Sequence, residues 1–443
     1  MQGLDDRVLM DILERAVGPY RARTAFDAFS LSPSVSIRYN PFKYTNRNRG
    51  IDNSDASLRS APPLAPLRSA PVPPLVPRVA LSSSADTSVP WNRYAVILNE
   101  RPRFVMDPLF HAGCYYVQDS SAMVVGHMVR EYLGRFDNLG RPFRVLDLCA
   151  APGGKTTDLA ASLRERFGDG FQLVANEVMR SRASVLCDNV AIWGDPNVIV
   201  TSVDPKVAGR LEGYFDIIVA DVPCSGEGMF RKDPKAVEDW SEEAVALCAA
   251  RQKRILADMW PALRKGGMLV YSTCTFEEAE NDMNVEWTAS ELGAVVEEYD
   301  YSSLPGVIPT RTGGLLVPGF VKGEGQFVAV LEKTAGTGSS KSNPGMLRPL
   351  RDGLVKETIK GSVRIPSADW ALSINPPLDE YPSVGLDLDT ALRYLHRDGI
   401  FIEGQPEGYL IVCYEWHPLG FVKNIGKRWN NLHPQNRRIR IDL

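Results

Sequence analysis

Two cysteines follow two predicted strands, and they are the side chains of this chain best suited to covalent chemistry. The segment FDIIVADVPCSGEGMFRKDP (215–234) places Asp221 and Cys224 at the carboxyl end of one apolar strand, and LVYSTCTFEEAEN (269–281) places Cys274 at the end of another. A lone cysteine in an apolar strand is usually inert packing, but these two stand among turn and polar residues, which make poor core. Because the carboxyl ends of parallel strands meet at one edge of a sheet, we expect both thiols to open onto one crevice.

Two thiols in one crevice suit a reaction at carbon 5 of cytosine. That carbon is a poor nucleophile, but a thiolate that adds to carbon 6 turns the ring into an enamine-like nucleophile, and an acid near N3 favours the addition. After methyl transfer, a base removes the carbon-5 proton and the thiol is eliminated. Enzymes that methylate duplex DNA attack with the cysteine of a Pro-Cys turn, which here is Cys224. The second thiol, Cys274, indicates another division of labour, in which one thiol attacks and the other assists release.

The segment LDLCAAPGGKT (146–156) ends another predicted strand with a glycine-rich turn. It is neither the GxGxxG dinucleotide fingerprint nor a P-loop. A short turn of this kind, followed by an acidic residue at the end of the next strand, suits a ligand with a ribose and no phosphates, such as S-adenosylmethionine. Glu177 could accept both ribose hydroxyls, and Asp204, which ends the third strand, could receive the adenine amine. The glycines alone would also fit an ordinary tight turn, but the acidic residues at successive strand ends favour the nucleotide site.

From Phe143 onward, apolar runs alternate with helical stretches. The runs are rich in Val and Ile and nearly continuous, which is typical of strands buried on both faces of a parallel sheet. This alternation predicts a doubly wound, Rossmann-like α/β domain with its ligand at the carboxyl ends of the strands. The predicted strands are 143–150, 171–177, 197–204, 215–223, 267–275, 294–300 and 325–333, and the predicted helices are 156–166, 180–193 and 242–264.

The remaining segments predict smaller units on both sides of this domain. Residues 1–60 are expected to form an α+β region, with a helix at 4–17 and a strand within 33–43. Residues 61–90 contain eight prolines and predict an extended linker or lid. The α/β domain is expected over 91–334, a flexible hinge over 335–345, and a C-terminal α+β domain over 346–443. In that domain we expect a helix at 387–399 and short strands within 409–426 around a Pro-Leu-Gly turn.

Composition excludes several classes of protein. The 443 residues carry 50 Lys and Arg against 54 Asp and Glu, a net charge of −4, which excludes a globally basic polyanion binder but leaves room for a local basic patch. Seven separated cysteines without a CxxC pair argue against a disulfide framework and a cysteine zinc site, and favour reduced thiols in a cytoplasm. The five histidines show no ligand spacing, so no metal is expected. The sequence contains no run of 18 apolar residues, so no membrane span is predicted.

Two local groups of basic residues could contact RNA. Arg231 and Lys232, just beyond Cys224, could hold phosphates beside a target base, although a surface turn would also explain them. In the last twenty-one residues, basic side chains with Trp429 among them suggest backbone contacts plus stacking, and from charge alone a solvated basic tail explains them equally well. The basic residues concerned are Lys423, Lys427, Arg428, Arg437, Arg438 and Arg440.

Four ordered segments resemble the successive motifs of the Sun/Fmu-type RNA cytosine-C5 methyltransferases. They are VQDSSAM, LDLCAAPGGKT, ADVPCSGEGMFRKDP and YSTCTFEEAEN. GEGMFRKDP, LRYLHRDG and PLGFVKNIGKRWNNLHP resemble more narrowly the bacterial RsmF-type 16S rRNA enzymes, which carry a PUA-like RNA-binding domain at the C-terminus. The resemblance covers residues 91–335 strongly, 385–441 well and 25–45 weakly.

The resemblance implies roles for particular residues. Cys274 would be the nucleophile, Cys224 would assist product release, and Asp221 would lie by the target base. The implied cofactor is S-adenosylmethionine, and the implied partner is ribosomal RNA or a small-subunit particle, bound by a monomer. The cofactor site would be lined by Cys149, Ala150, Ala151, Pro152, Gly153, Gly154, Lys155, Glu177, Asp204 and Asp221.

Three other functions remain open from the sequence: a catalytically idle RNA-binding or ribosome-assembly factor, a tRNA methyltransferase, and a DNA cytosine methyltransferase. The last would need only Cys224 and would explain neither STCT nor the C-terminal segment. Two departures from the family pattern also stand out. Asp119-Ser120 occurs where relatives more often have Glu-Ala, and Gly319 replaces an expected histidine, which leaves the local RNA contact open.

Overall fold

The N-terminal segment forms a pair of helices that pack on each other and on the central sheet. In this computed structural model, residues 5–44, 87–136, 139–336 and 344–441 are described. Helix α1 (Asp6–Val17) was predicted, and helix α2 (Pro19–Phe29) was not. Three of the side chains that α2 buries are alanines, which give little apolar periodicity to recognise. Phe29 meets Phe276 edge-to-face at 6.2 Å, so α2 lies beside the segment that follows Cys274.

An antiparallel sheet joins residues from two regions that the sequence analysis separates. Its strands run in the order β2-β3-β1-β4, and helix α5 (Val124–Tyr132) follows them. The first strand comes from the predicted N-terminal region and two others from the predicted α/β domain. Residues 61–86 of the proline-rich segment lie outside the described residues, but its residues 87–89 form a strand and not a linker. The elements are β1 (Val35–Tyr39), α3 (Pro41–Tyr44), β2 (Thr87–Val89), β3 (Asn92–Leu98), α4 (Pro108–His111) and β4 (Tyr115–Val117).

The central sheet confirms the doubly wound α/β fold. Within the described ranges it has ten strands, with parallel neighbours at its centre and antiparallel strands at both sides. Its strands are β5 (Phe143–Asp147), β6 (Phe171–Asn176), β7 (Val198–Thr201), β8 (Phe215–Asp221), β9 (Leu263–Thr273), β10 (Ala294–Val296), β11 (Ile308–Pro309), β12 (Gly314–Leu316), β13 (Gln326–Lys333) and β14 (Arg351–Asp352). The path of neighbours is β11-β12-β13-β9-β8-β5-β6-β7-β14, with β10 beside β13.

Helices cover the faces of this sheet, as the alternating pattern predicts. They are α6 (Gly154–Phe167), α7 (Arg180–Trp193), α8 (Pro205–Gly209), α9 (Pro234–Asp239), α10 (Glu242–Met259) and α11 (Asp282–Leu292). Helix α7 has the predicted bounds. Helix α10 ends at Met259, five residues before its predicted end, because Pro261 cannot continue a helix and Leu263 already belongs to β9.

The C-terminal segment forms a second, smaller sheet in the order β17-β18-β19-β20 and a separate hairpin. The predicted Pro-Leu-Gly turn is wrong. Pro418–Gly420 lies inside β19, and the chain reverses at Glu415 and Trp416, which have φ angles of 44° and 69°. The elements are β15 (Glu357–Lys360), β16 (Val363–Pro366), α12 (Ala368–Ala371), β17 (Ser383–Leu386), α13 (Leu388–His396), β18 (Gly408–Tyr414), β19 (His417–Asn424) and β20 (Trp429–Asn431).

The C-terminal sheet shares one hydrophobic core with the N-terminal sheet. Phe104 and Leu109 pack in the same buried cluster as Leu386, Tyr394 and Trp429. Strand β14 also pairs with β7 at the edge of the central sheet. Of the predicted hinge 335–345, only residues 335, 336, 344 and 345 are described. The C-terminal segment is therefore packed against the rest of the chain on two sides.

Arg437 lies in this contact and not on an RNA-facing surface. Its Nε donates to Asp188 Oδ1 of α7 at 2.8 Å, and its Nη1 donates to Asp369 Oδ1 at 2.7 Å. Its side chain is 11% exposed. The prediction that Arg437 contacts RNA is corrected, because its donors are occupied by carboxylates within the protein.

Two residues of the N-terminal segment hold the end of α7. Lys43 Nζ donates to the carbonyls of Ala112 at 2.7 Å and Ile192 at 2.5 Å, and Asn40 Nδ2 donates to the carbonyl of Trp193 at 3.0 Å. The last carbonyls of a helix have no partner within the helix. Burial lowers the pKa of Lys43 to about 7. These contacts join the N-terminal sheet to the central domain. Among the described residues, no helix is long and apolar enough to cross a membrane.

Arg437→Ala should lower the free energy of unfolding by about 2 kcal/mol, because Asp188 and Asp369 would lose the cation that pairs them across the contact. Burial acts to raise the pKa of Asp369, but the cations of Arg437 and Arg351 outweigh it, so this pKa is held below its ordinary value of 3.8. The loss should therefore be full at neutral pH and shrink as the pH falls below that value, where Asp369 takes up a proton. Urea unfolding at pH 7 and pH 3 measures it.

The adjacent exposed residue provides the control. Arg438→Ala should change the free energy of unfolding by less than about 0.5 kcal/mol. Equal effects of the two substitutions would contradict the assignment of Arg437 to the domain contact.

Candidate active site

The glycine-rich turn after β5 is held by side chains from neighbouring elements. The carbonyls of Ala151 and Pro152, which are joined by a cis peptide bond, accept hydrogen bonds from Arg182 Nη2 at 2.9 Å and Asn189 Nδ2 at 2.7 Å. Gly153 has a φ of 114°, and a Cβ there would lie 3.1 Å from Leu186 Cδ1. The turn therefore requires glycine at this position, and it brings the backbone close to any ligand above it.

Arg38 supports the same turn and was missed by the sequence analysis. It is almost completely buried, and its Nη2 donates to Gly154 O at 3.1 Å and to Thr157 Oγ1 at 2.6 Å. Burial lowers the pKa of Arg38, and the nearby carboxylate of Asp158 opposes this effect. The sequence signal was a charged residue inside an otherwise apolar strand, VSIRY. The N-terminal sheet thus orders the first turn of α6.

Glu177 follows β6 and lies beside this turn. It is 3% exposed, and its Oε1 accepts the backbone N–H of Met179 at 2.9 Å. Its Oε2 lies 3.3 Å from Arg182 Nη1 but accepts no hydrogen bond from the described residues. Val178 and Met179 are more than half exposed. A buried carboxylate oxygen with spare capacity, beside exposed apolar side chains, fits a ligand that offers hydroxyl donors and an apolar ring.

Asp204 follows β7 at the same edge of the sheet. It is exposed, and its Oδ1 accepts the Lys206 N–H at 2.9 Å, which caps α8. Asp204 therefore has a structural role that the sequence analysis did not foresee. Asp147, the last residue of β5, was also missed. Burial raises its pKa to about 7, and only its Oδ2 has a partner among the described residues, the hydroxyl of Thr156 at 2.6 Å.

The structure brings the two predicted thiols together. The sulfur atoms of Cys224 and Cys274 are 3.1 Å apart, and the Cys274 backbone N–H donates to Cys224 Sγ at 3.3 Å. The hydrogen bond to Cys274, followed by burial, raises the pKa of Cys224 well above its ordinary value. Cys224 therefore keeps its proton and can donate it to the sulfur of Cys274.

Asp221 and Lys155 form an ion pair next to these thiols, with 2.8 Å between Oδ2 and Nζ. Gln326 Nε2 donates to the other carboxylate oxygen of Asp221 at 3.3 Å. Burial acts to lower the pKa of Lys155, but Asp221 outweighs it and the pKa is raised. Lys155 thus belongs to both the glycine-rich turn and the thiol crevice, which joins the two predicted sites into one.

Glycines allow the backbone to cross tightly beneath Cys274. Gly228 N–H donates to Cys274 O at 2.8 Å, and Gly325 N–H donates to Gly228 O at 3.3 Å. A Cβ on Gly228 would lie 2.6 Å from Gly325 O and 2.7 Å from Cys274 O. The two GEG segments of the sequence, 226–228 and 323–325, are therefore needed for close backbone contact beside the strand end that carries Cys274.

Arg231 and Lys232 do not form a free phosphate site. Arg231 makes two hydrogen bonds to the buried carboxylate of Glu324, at 2.7 and 2.8 Å, and its side chain is 6% exposed. Lys232 pairs with Asp119 at 2.6 Å. The prediction for Arg231 is corrected, because its guanidinium is occupied and shielded. Lys232 keeps 27% of its side chain exposed, so it can reach solvent only beside Asp119.

The two departures from the family pattern have local explanations. Asp119 Oδ1 accepts the backbone N–H groups of Ser121 at 2.9 Å and Glu324 at 3.1 Å, so its shorter side chain ties two loops together. Gly319 has a φ of 95°, and a Cβ there would lie 2.8 Å from the carbonyl oxygen of Thr24 in α2. A histidine at this position would collide with α2.

The basic C-terminal surface differs from its prediction in the exposure of its tryptophans as well as in the burial of Arg437. Lys427, Arg428 and Arg438 are exposed, and the ammonium of the half-buried Lys423 lies 5.2 Å from the centre of the Tyr409 ring. Trp429 is 4% exposed, so it cannot stack on a base as was suggested. Trp416, at the turn between β18 and β19, is 83% exposed and was overlooked. Over the described part of the chain, no group of three or more His, Cys, Asp or Glu side chains could hold a metal ion.

The spacing of the thiols predicts that one trivalent arsenical, such as phenylarsine oxide, binds per crevice by bridging both sulfurs. Cys224→Ala and Cys274→Ala should each abolish this high-affinity binding, whereas Cys248→Ala should leave it unchanged. Titration followed by native mass spectrometry counts the bound arsenic. Unchanged binding in either crevice variant would show that the two sulfurs are not neighbours.

Family models match two parts of the chain. Residues 140–331 match the family described as 16S rRNA methyltransferase RsmB/F, and residues 381–439 match the one described as methyltransferase RsmF PUA domain. Among solved structures, a methyltransferase homologue protein from Pyrococcus horikoshii has a TM-score of 0.55 at 23% identity and covers 73% of this chain and 93% of its own. NSun6 from the same organism, solved with SFG, has a TM-score of 0.52 at 18% identity and covers 74% and 98%. At these identities the structures show the fold alone.

Curated relatives carry the name ribosomal RNA small subunit methyltransferase F. The protein from Klebsiella pneumoniae is 40% identical over 229 residues, which are 51% of this chain and 46% of the relative. The protein from Shigella boydii is 35% identical over 292 residues, 65% of this chain and 56% of the relative. The chain thus spans about half the length of the curated relatives it matches. Residues 140–331 thus match the RsmB/F methyltransferase family, and residues 381–439 match a PUA domain of the RsmF type.

Proposed function

We propose that this protein methylates carbon 5 of cytosine in small-subunit (16S) ribosomal RNA, with S-adenosylmethionine as cofactor and a covalent cysteine–cytosine intermediate. The observation that carries the proposal is the contact of Cys224 and Cys274, whose sulfurs are 3.1 Å apart at the ends of adjacent parallel strands. The names of the curated relatives support the choice of ribosomal RNA.

The turn 149–155, Glu177 and Asp204 would hold S-adenosylmethionine, which supplies an electrophilic methyl group when it is bound. Glu177 supports this assignment, because its buried Oε2 has room to accept a ribose hydroxyl. The exposed side chains of Val178 and Met179 offer an apolar surface for a purine. Asp204 can use the carboxylate oxygen that does not cap α8.

Cys274 is the nucleophile in this proposal. Because Cys224 retains its proton, it can stabilise a thiolate on Cys274 by donating a hydrogen bond, and only the thiolate adds to carbon 6 of the base. Asp221, which is held by Lys155 and Gln326, would contact the target base. Cys224 then assists the elimination that frees Cys274.

Substrate docking is assigned to the C-terminal domain and its exposed basic residues Lys427, Arg428 and Arg438. Contacts of this type are made mostly to phosphates, so the affinity should decrease with added salt. The target base has to leave its stack to reach the crevice, which costs a few kcal/mol and is easiest in a loop or an unfinished particle.

Cys274→Ala should form no covalent adduct with the RNA and should not methylate it, because the ring is not activated. Cys224→Ala should attack and methylate but fail to release the product, so a protein–RNA adduct should accumulate. Denaturing electrophoresis with rRNA or small-subunit particles detects the adduct, and bisulfite sequencing locates the methylated cytosine.

The same pair of variants tests the alternatives. An adduct with Cys274→Ala that is lost with Cys224→Ala would reverse the roles and favour the DNA-type mechanism. Cofactor binding without any adduct or methylation in the parent protein, on rRNA or tRNA, would favour an idle RNA-binding factor.

Glu177→Gln should weaken S-adenosylmethionine binding about tenfold. The amide keeps the shape of the side chain and one acceptor oxygen, but it puts an N–H donor where Oε2 would accept the hydrogen bond of a ribose hydroxyl. Isothermal titration calorimetry measures the dissociation constant. Glu298→Gln, an exposed carboxylate beyond β10, should leave it unchanged. Equal affinity in Glu177→Gln and the parent would refute the ribose assignment.

A further inference from the structure

Two carboxylates lie buried behind the Cys224 turn, and the reaction described above does not use them. Glu227 and Glu280 are both 0% exposed. Both contact the hydroxyl of Ser225, the residue that follows Cys224. Carboxylates are almost never fully buried without a cation, so this pair requires an explanation.

The single hydrogen of the Ser225 hydroxyl shows how the carboxyl groups of Glu227 and Glu280 can lie close together. The hydroxyl lies 2.9 Å from Glu227 Oε1 and is also in close contact with Glu280 Oε1. It has one hydrogen to donate, so both contacts can be hydrogen bonds only if one of the carboxyl groups is protonated. Burial raises the pKa of both groups, that of Glu280 to about 7, and this agrees with a proton shared within the cluster.

Glu280 is connected to the backbone on both sides of Cys224. The N–H of Ser225 points at its carboxylate, 3.2 Å from Oε2. Gln252 Nε2 bridges the Pro223 carbonyl at 2.9 Å and Glu280 Oε2 at 2.6 Å. The Glu280 backbone carbonyl in turn accepts the Tyr271 hydroxyl at 2.6 Å. The position of the Cys224 thiol therefore depends on Glu280.

The charges around Cys224 come from several elements. Cys274 has the largest effect on its proton affinity, burial follows, and the carboxylate of Glu280 adds to both. Asp221 and its partner Lys155 lie on the other side of the thiols. Behind the turn, Glu227 and the weakly acidic Tyr271 and Cys248 complete the surroundings.

We propose that Glu280, together with Ser225, is a positioning residue that fixes Cys224 and keeps its thiol protonated while Cys274 attacks. This inference rests on the proposed function. Once Cys274 has become a thioether, it no longer carries the negative charge that keeps the proton on Cys224. This proton then passes to solvent. The Cys224 thiolate takes the proton from carbon 5, the electrons of that C–H bond form the carbon 5–carbon 6 double bond, and the bond from carbon 6 to Cys274 breaks to release a thiolate.

The test is Glu280→Gln in the full chain, with single-turnover adduct formation and adduct breakdown measured on rRNA between pH 6 and pH 9. Above pH 7, where Glu280 is mostly ionised in the parent because its pKa is about 7, loss of the negative charge should make Cys224 more acidic. The midpoint of the breakdown rate should therefore move to lower pH by at least half a unit, while the rate of adduct formation stays within about threefold of the parent. Glu278→Gln, an exposed carboxylate from the same segment, should match the parent in both steps.

The outcomes separate this inference from the proposed function. A breakdown profile in Glu280→Gln that matches the parent, or equal loss of both steps, would overturn the positioning role while leaving the thiol mechanism intact. Absence of an adduct in Cys224→Ala would overturn the mechanism and this inference with it. Should Glu280→Gln not fold, Ser225→Ala decides by the same criterion, because removal of the hydroxyl favours the protonated form of Glu280 and should shift the profile in the same direction.

Discussion

The site depends on the parallel pairing of β8 with β9. Asp221 on β8 lies opposite Ser272 on β9, so the two strands end at nearly the same level. The turns that follow bring Cys224 and Cys274 to 3.1 Å, although 49 residues separate them in the chain. A slip of one residue in this register would turn the strand side chains to the opposite face and separate the thiols. The glycines at 228 and 325 maintain the register from below, since they allow three backbone segments to touch.

Basic side chains buried within the protein connect its parts. Arg38 connects the N-terminal sheet to the glycine-rich turn, Lys43 connects the same sheet to the end of α7, and Arg231 with Glu324 connects the Cys224 loop to the loop before β13. A buried charge is tolerated only when it is paired or hydrogen-bonded, so each contact is specific in geometry. Removing one partner leaves an uncompensated charge, which is why these links couple distant segments strongly.

The C-terminal domain is packed as part of the same body as the central sheet. Its core continues into the N-terminal sheet, and Arg437 ties it to α7, the helix that also carries Arg182 and Asn189 to the glycine-rich turn. A surface that binds RNA on this domain would thus be held at a constant distance from the thiol crevice. Such an arrangement would select a target base by its distance from the docking contacts.

The sequence by itself determined the strand-turn-helix alternation, the succession of the central strands along the chain and the position of the two cysteines near strand ends, because these depend on local hydrophobic pattern and turn chemistry. For the same reason α7 could be predicted to the residue and α1 nearly so. Helix α2 was not predicted because its buried face is mostly alanine. The prediction of a Pro-Leu-Gly turn was wrong because proline and glycine also occur in a bulged strand.

Only the tertiary structure decided which charged side chains face solvent and which are paired with other side chains inside the protein. Arg231 and Arg437 each stand beside another basic residue in the sequence, which suggested RNA contact, yet carboxylates more than 90 and about 250 positions away bind them. The N-terminal sheet combines strands from both sides of the proline-rich segment, and Glu227 meets Glu280 across Ser225. Such pairings join residues that are distant in the chain, and the free energy that selects them arises from burial and desolvation in the folded protein, which no local pattern records.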